Sequence, residues 1–450
     1  MRTRRTGPWP VRRLPQLNGA VAAALIAAAP FALPASEARA QAAAASSMGA
    51  AYEVAGFYAA RQQRPLWLSK GQLTPAAHQL LRLLDTASVD RLDRSRYVTS
   101  GLTRALHSAA TGDPRAARRA EQLLSQSFVA YARDLRAAPS AGMTYVDPSL
   151  RPLAPPPLAL LSDAAGTRSL TDYVENMRWM NPLYAPLRRA LATNNHSTPR
   201  ERSLLAVNLE RARSLPSAKG RFVLVNAAAQ KLFMYENGQP VDSMRVVVGK
   251  PKYATPMLTA LIRFASLNPY WNVPPDLAAE RIAPGVVKEG MRHLTSRGYQ
   301  VLSNWEEDAT VIDPSTVDWK AVAAGRLEVR VRQLPGAGNA MGQMKFMFPN
   351  EFGVYLHDTP ERKLLSEASR LYSGGCVRLE DAPRLARWLF GRSLEATSDQ
   401  PELPVPLPSM VPVAITYLTA VPSGSSIVYF DDIYGRDAQR MAQLAGPSPL

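Results

Sequence analysis

The sequence predicts an α+β protein with a helical N-terminal half followed by a mainly-β C-terminal half. In residues 47–196, apolar residues recur three and four positions apart, as at Leu80, Leu81 and Leu84, which is the spacing of an amphipathic helix. From Arg221 the apolar period changes to two, which is typical of half-buried strands. Roughly 410 residues follow the N-terminal segment, enough for two or three domains.

Residues 1–40 have the three parts of a secretory signal peptide. Five arginines precede position 14, an alanine-rich apolar run covers 19–33, and Ala38-Arg39-Ala40 forms a small-x-small cleavage site. The apolar run has 15 residues, fewer than the roughly 20 that span a bilayer. We therefore expect export with cleavage near Ala40, and an uncleaved anchor is the alternative.

Residues 47–196 are predicted to form a helical scaffold domain. Gly, Ser and Pro clusters separate its segments, and the proline-rich stretch 152–157 is an extended break. The three histidines of this half have no partners at metal-ligand spacing, so we expect surface or packing roles for them and no metal site.

Residues 218–440 are predicted to form the mainly-β domain. Strands are expected at 222–226, 231–235, 243–249, 261–266, 327–332, 345–348, 353–357, 413–418 and 426–430. Asn237-Gly238 supplies a hairpin turn, and proline-rich residues 401–412 precede the last two strands. Residues 268–326 interrupt the strands, and an insertion of this length is usually functional or disordered. Its tryptophans argue against disorder, and packing without a functional contact is the alternative.

One cysteine and one histidine of this domain are candidate catalytic residues. Cys376 is the only cysteine of the chain, and His357 ends an alternating run 19 positions earlier. An exported chain with one cysteine has no internal disulfide partner, so the thiol indicates a chemical use. A cysteine nucleophile with a histidine base is the hypothesis, and a buried thiol with a structural histidine is the alternative.

The residues around Cys376 favour the catalytic hypothesis. Gly374 and Gly375 permit backbone angles closed to other residues, so the amides of Gly375 and Cys376 are expected to converge as an oxyanion requires. Residues 380–389 are predicted to form a helix, because acidic residues and a proline come early and apolar residues recur at helical spacing. A helix that starts just after Cys376 is expected to lower the pKa of its thiol.

His357 together with the run Ser373-Gly374-Gly375-Cys376-Val377-Arg378 resembles the active-site motif of the L,D-transpeptidase catalytic domain, a YkuD-like fold. The chain looks most like the large YcbB-like branch. The other stretches that carry the resemblance are 57–61, 65–67, 248–251, 255–256, 268–275, 332–336, 339–342 and 432–437. Many members have His where Gly374 stands and Asn where Arg378 stands, but the YcbB-like branch tolerates both changes.

The resemblance implies an enzyme with Cys376 as nucleophile and His357 as base. It implies that residues 218–440 are the catalytic domain, and that 268–326 is a capping subdomain over the active site. The YcbB-like branch commonly carries a small helical peptidoglycan-binding module after its N-terminal helices. Here only a short polar link at 194–202 occupies that place, so we expect the module to be missing.

The activity that the resemblance implies is peptidoglycan L,D-transpeptidation without cofactor or metal. The thiolate would attack a tetrapeptide donor stem after its third residue, and an amine of an acceptor stem would resolve the thioester into a cross-link. A carbapenem should acylate the same cysteine. Hydrolysis of the acyl-enzyme, which would make the protein a carboxypeptidase, is one alternative. A non-catalytic wall-binding protein is the other.

Four further residues are candidate substrate contacts. Tyr355 lies two positions before His357 and so on the same face of a strand, with a packed tyrosine as the alternative. Arg378 has the fork that suits a substrate carboxylate, with a structural ion pair as the alternative. Ser373 is expected to fix the turn by local hydrogen bonds, and Trp271 belongs to the insertion.

The chain is basic, with a formal net charge of +16, of which +11 remains when residues 1–40 are removed. A basic exported protein is attracted to an anionic polymer, and cell-wall glycan with its carboxylate-bearing peptides fits. The sequence has no interleaved basic and aromatic pattern, so nucleic acid is not an expected partner. We therefore expect a periplasmic or cell-wall-associated protein.

Overall fold

The computed structural model describes residues 35–137, 141–193, 198–217, 219–306, 308–396 and 398–445. The chain divides into two compact units, residues 1–49 and 50–450. Of the first unit the structure describes the start of helix α1 (Ala35–Ala60), so most of the predicted signal peptide lies outside the described residues. No helix in the described part of the chain is both long and apolar enough to cross a membrane.

The first half of the larger unit is helical, as predicted. After α1, its helices are α2 (Pro75–Asp85), α3 (Ser100–Ala110), α4 (Pro114–Arg136), α5 (Pro157–Gly166), α6 (Leu170–Glu175), α7 (Tyr184–Thr193) and α8 (Pro199–Arg213). Three short strands accompany them, β1 (Leu68–Ser69), β2 (Gln72–Leu73) and β3 (Thr144–Tyr145). The helices enclose an aromatic core in which the Phe128 ring lies 5.6 Å from Trp67 and 5.1 Å from Trp179.

Helix α8, which leads into the second half, begins at a capping box. The Thr198 hydroxyl accepts from the Glu201 N–H at 3.2 Å, and the Glu201 carboxylate accepts from the Thr198 N–H at 2.7 Å. This reciprocal pair satisfies two N–H groups that have no partner inside the helix. The start of α8 at this position therefore has a local cause.

The second half contains the remaining strands. They are β4 (Arg221–Asn226), β5 (Lys231–Glu236), β6 (Gln239–Gly249), β7 (Leu258–Leu267), β8 (Trp271–Val273), β9 (Tyr299–Leu302), β10 (Val311–Ile312), β11 (Arg330–Gln333), β12 (Met344–Met347), β13 (Leu356–His357), β14 (Leu371–Ser373), β15 (Val377–Leu379), β16 (Leu403–Thr416), β17 (Ala420–Ser423) and β18 (Ser426–Tyr429). Asn237 and Gly238 both have positive φ in the β5–β6 hairpin, the conformation that an Asn-Gly turn supplies. The α+β fold class is therefore confirmed.

The main sheet closes on itself. Its strands follow the order β12-β13-β15-β6-β5-β4-β16-β7, and β7 also pairs with β12. Strand β14 pairs with β6, and β3 of the helical half pairs with the start of β7. The enclosed core is apolar, and helix α13 (Ala382–Phe390) packs its Leu385 and Leu389 onto it.

The insertion folds around its own core. Strands β10-β9-β11-β8 form a separate four-stranded sheet. The accompanying helical segments are α9 (Pro275–Leu277), a π-helical turn (Ala278–Ile282), α10 (Ala283–Glu289), α11 (Arg292–Thr295) and α12 (Trp319–Ala323). The strand predicted at 327–332 forms as β11, but its expected place in the main sheet was wrong. Val331 packs into the insertion's core, so β11 pairs with β8 and β9.

Several strand boundaries differ from the predicted ones, and two of them have an identifiable local cause. Strand β16 begins at Leu403, ten residues before the predicted start at 413. Its prolines at 404, 406 and 408 occupy alternate positions, and residues 403–406 pair with β7 alone, so missing N–H groups can face away from the ladder. Strand β13 begins at Leu356 rather than 353, because Gly353 has φ +59° and the Asn350 side chain holds the preceding loop.

The C-terminal segment, β17, β18 and helix α14 (Arg436–Ala445), ties the helical half to the main sheet. Arg211 of α8 and Asp437 form a buried ion pair, and Thr419 donates to the Asp437 carboxylate at 2.6 Å. Next to this pair, the Tyr434 hydroxyl donates to the Gly249 carbonyl at 2.7 Å. The segment therefore supports the turn that follows β6.

Replacing Arg211 with Met is expected to lower the free energy of unfolding by about 3–5 kcal/mol, because the buried Asp437 carboxylate loses its charged partner. The double variant R211M/D437L removes both charges and should recover most of this loss. Urea unfolding of both proteins measures the effect, with R200M, an exposed position of the same helix, as the control. Equal stability of R211M and R200M would contradict the prediction.

Candidate active site

Two adjacent strands bring the candidate catalytic residues together. Strands β13 and β15 pair in parallel, with Leu356 opposite Val377 and His357 opposite Arg378. Because side chains alternate along each strand, His357 and Arg378 share a face with Cys376, two positions before Arg378 in the chain. Cys376 and His357 line the same cleft, of about 310 Å³. The fold therefore joins two groups that lie 19 positions apart in the chain.

The His357 imidazole is held in one tautomer by the backbone. Its side chain is 1% exposed, and Nδ1 lies 2.6 Å from the Asp358 carbonyl oxygen. A carbonyl only accepts hydrogen bonds, so in the neutral ring Nδ1 carries the proton and Nε2 is the basic nitrogen. Asp358 is itself fixed, because its carboxylate accepts from the Gln343 N–H at 3.0 Å and from Arg362 at 2.7 Å.

Two cations flank this imidazole. Lys345 of β12 lies opposite His357 on one side, and Arg378 of β15 lies opposite it on the other. Burial, and then the charges of Arg378 and Lys345, lower the pKa of His357 to about 3. Lys345 is held by the Glu402 carboxylate at 2.8 Å, and its Nζ lies 5.7 Å from the centre of the Tyr355 ring. The imidazole is therefore neutral in this arrangement.

The Cys376 thiol is also neutral in this arrangement. It is partly exposed, and its Sγ donates to the Gly353 carbonyl at 3.5 Å. Burial raises the pKa of this thiol to about 11, although a backbone hydrogen bond from Tyr355 and the charges of Arg378 and Lys345 oppose the rise. The expected lowering by a helix dipole was wrong, because strand β15 separates Cys376 from α13.

Ser373 and Thr255 fix the backbone next to Cys376. The Ser373 hydroxyl donates to the Cys376 carbonyl at 2.6 Å and accepts from the Gly375 N–H at 3.1 Å. The Thr255 hydroxyl donates to the Gly375 carbonyl at 2.8 Å, and Gly375 has φ +114°, which favours glycine. The Gly375 amide is thus engaged within the loop, and it must leave Ser373 to serve as an oxyanion donor.

The insertion touches this loop at two points. A Cβ on Gly374 would lie 2.6 Å from Leu277 Cδ1, so the absence of a side chain at 374 lets the insertion approach. A guanidinium N–H of Arg281 donates to the Tyr372 carbonyl at 3.0 Å. Both Leu277 and Arg281 line the cleft with Cys376. The insertion therefore forms one wall of the candidate site.

A second, larger cleft of about 660 Å³ adjoins the first. The two clefts share Trp271, Arg281, Ala340 and Arg378. Trp271 thus lines both clefts, whereas Tyr355 lines the smaller one. Burial, and then the thiol of Cys376 and the carboxylate of Glu402, raise the pKa of Tyr355 to about 12.

The candidates predicted from the sequence do not include three residues of this site, Lys345, Arg281 and Leu277. Lys345 falls within a predicted strand, but its position opposite His357 depends on register, which no local pattern encodes. Arg281 and Leu277 lie on the insertion, and their contacts depend on how it folds back. No group of three or more His, Cys, Asp or Glu side chains in the described ranges converges as a metal site would require.

Comparison with known proteins identifies both halves. Residues 52–191 match the family described as the scaffold domain, and residues 220–405 match the L,D-transpeptidase catalytic domain. A Haemophilus influenzae protein named "Putative L,D-transpeptidase" is 29% identical over 405 residues, which are 86% of this chain and 78% of that protein.

Two solved structures are more distant. The L,D-transpeptidase from Mycobacterium smegmatis is 14% identical with a TM-score of 0.22, over 44% of this chain and 58% of that one. Bdellovibrio bacteriovorus Bd1075 is 13% identical with a TM-score of 0.18, over 50% of this chain and 56% of that one.

Replacing Lys345 with Met is expected to slow alkylation of Cys376 by iodoacetamide at pH 9 by about two- to fivefold. The variant loses a positive charge that lowers the thiol pKa, so the pKa rises further and the thiolate fraction falls. Cys376 is the only cysteine of the chain, so intact mass reports this site directly. K363M, at an exposed position, is the control, and equal rates for the two variants would contradict the prediction.

Proposed function

Because this chain belongs to the L,D-transpeptidase family, we propose that it cross-links peptidoglycan, with Cys376 as the nucleophile and His357 as the general base. The observation that carries the proposal is that both side chains line one cleft, with His357 at the end of β13 and Cys376 immediately before β15. The donor is a tetrapeptide stem, and no cofactor or metal takes part. The substrate lies outside the cell membrane, so the proposal also requires the export that residues 1–40 predict.

The first step transfers the acyl group of the donor stem to the enzyme. Since the thiol and the imidazole are both neutral at rest, His357 Nε2 removes the thiol proton as Sγ attacks the carbonyl carbon of the third residue. For this the thiol must turn from the Gly353 carbonyl to the imidazole. The carbon–nitrogen bond then breaks, His357 returns the proton to the leaving nitrogen, and D-alanine departs from a thioester.

The loop of residues 373–376, here called the nucleophile loop, is the source of the oxyanion donors. The amides of Gly375 and Cys376 are the expected pair, with Gly374 providing the open approach, and each donor contributes about 2.7–4 kcal/mol. In the resting loop the Gly375 N–H is bound to the Ser373 hydroxyl. Attack must therefore release this amide, so that its hydrogen bond forms with the transition state rather than with the free substrate.

The second step passes the acyl group to an acceptor. An amine of another stem attacks the thioester carbonyl, a new amide bond forms, and the carbon–sulfur bond breaks. His357 accepts a proton from the amine and returns one to the sulfur, which restores the starting thiol. Two stems must reach Cys376 for this step, and the two adjoining clefts provide room for them.

Incubation of the chain without residues 1–40 with tetrapeptide muropeptides tests the reaction. Cross-linked dimers are expected from the wild type, and C376A and H357A should each reduce product formation by about 10³-fold or more. H107A, at an exposed histidine, serves as the control for H357A. Trimmed monomers alone would indicate hydrolysis, and no product of either kind would favour a wall-binding protein.

A carbapenem is expected to acylate Cys376 by the same chemistry. Opening of the β-lactam ring expels no atoms, so the intact mass of the protein should increase by one whole drug molecule. C376A should show no increase, because the chain then has no thiol. An unmodified wild-type protein after prolonged exposure would argue against an accessible nucleophile.

A further inference from the structure

Arg378 lies at the junction of the two clefts. It lines both of them, lies opposite His357 in the neighbouring strand, and follows Cys376 by two positions. Residues two apart along a strand are about 6.6 Å apart and point the same way. The guanidinium is therefore within reach of groups bonded close to the atom that Cys376 attacks.

The ion pair that Arg378 forms is asymmetric. Its guanidinium bonds to the Glu361 carboxylate, and the side chain of Arg378 is 9% exposed whereas that of Glu361 is 59% exposed. An ion pair with an exposed partner contributes little to stability. A buried guanidinium left without a hydrogen-bonded partner, in contrast, is costly. Glu361 is thus a partner that another carboxylate can replace.

The larger cleft favours anions. Three guanidinium groups line it, those of Arg281, Arg297 and Arg378, and Glu361 contributes the single carboxylate of its lining. Arg297 also pairs with Glu289, and Arg281 donates one N–H to the Tyr372 carbonyl. The charge next to the nucleophile therefore suits a ligand that carries a carboxylate.

We propose that Arg378 binds the carboxylate of the donor stem's C-terminal residue, and that Glu361 occupies this guanidinium until the donor displaces it. The inference rests on the proposed function. In the donor, only the amide nitrogen and one carbon separate the attacked carbonyl carbon from that carboxylate. A donor bound at Cys376 therefore carries this carboxylate within the cleft that Arg378 also lines. A bidentate carboxylate on Arg378 also fixes the orientation of the scissile bond.

The test begins with E361Q, which removes the competing charge and keeps the shape of the side chain. KM for a tetrapeptide donor with a free C-terminal carboxylate is expected to fall about two- to fivefold, with kcat unchanged. KM for the matching donor with a C-terminal carboxamide should not change, because an amide does not compete with Glu361 for Arg378. If the ion pair were only structural, E361Q would change KM for both donors or for neither.

A second pair of measurements reads Arg378 itself. R378Q should raise KM for the carboxylate donor about tenfold or more, to near the wild-type value for the carboxamide donor. R378K keeps the positive charge but not the bidentate guanidinium, so its KM for the carboxylate donor should lie between those of the wild type and R378Q. In another donor, a side-chain carboxylate of the third residue is converted to a carboxamide while the C-terminal carboxylate is kept. Its KM should equal that of the unmodified donor.

The control for charge is E328Q, at an exposed position just before β11, which should leave both KM values unchanged. Equal KM values for E361Q and wild type, or the same shift for both donors, would overturn the inference. A KM that depends on the side-chain carboxylate of the third residue, rather than on the C-terminal carboxylate, would also overturn it. In each of these cases the wild type still forms cross-linked dimers, whereas the proposed function itself fails if the wild type forms no such dimers.

Discussion

The parallel pairing of β13 with β15 is the constraint on which the site depends. Each strand is only two or three residues long. Their register nevertheless places His357 directly opposite Arg378, which is two residues along the chain from Cys376. A slip of one residue would turn His357 to the opposite face of the sheet. The Val377 N–H donates to the Tyr355 carbonyl at 3.1 Å, which keeps that register. The Asp358 N–H donates to the Met344 carbonyl at 2.9 Å, which joins the end of β13 to β12.

This short pairing is supported from several parts of the chain. Strand β12 supplies Lys345, the turn after β6 supplies Thr255, and the insertion supplies Leu277. The C-terminal segment lies beyond the matched catalytic domain, residues 220–405, but Arg436 donates to the Thr255 carbonyl at 2.9 Å. The nucleophile loop is therefore stabilised in part by residues outside the family's catalytic domain. Substitutions in the C-terminal segment should disturb the loop through these contacts.

The sequence predicted what local patterns determine. The helical half, the Asn237-Gly238 turn and most strands of the main sheet follow from apolar period and turn chemistry, and the pair Cys376 and His357 was singled out from residue type and spacing. What failed depends on long-range pairing. The pKa of Cys376 was predicted wrongly because β15 was not foreseen between it and α13. The place of β11 was predicted wrongly because its pairing with β8 and β9 depends on how the insertion folds, which no local pattern encodes.

Gly374 and Leu277 show how two parts of the chain constrain each other. A Cβ at 374 would lie 2.6 Å from Leu277 Cδ1, a distance that rotation of one leucine can relieve for a methyl group but not for an imidazole. Many family members have histidine at this position. A side chain at residue 374 therefore requires Leu277 to change its rotamer or the insertion to shift, so the size of residue 374 limits how closely the insertion covers Cys376.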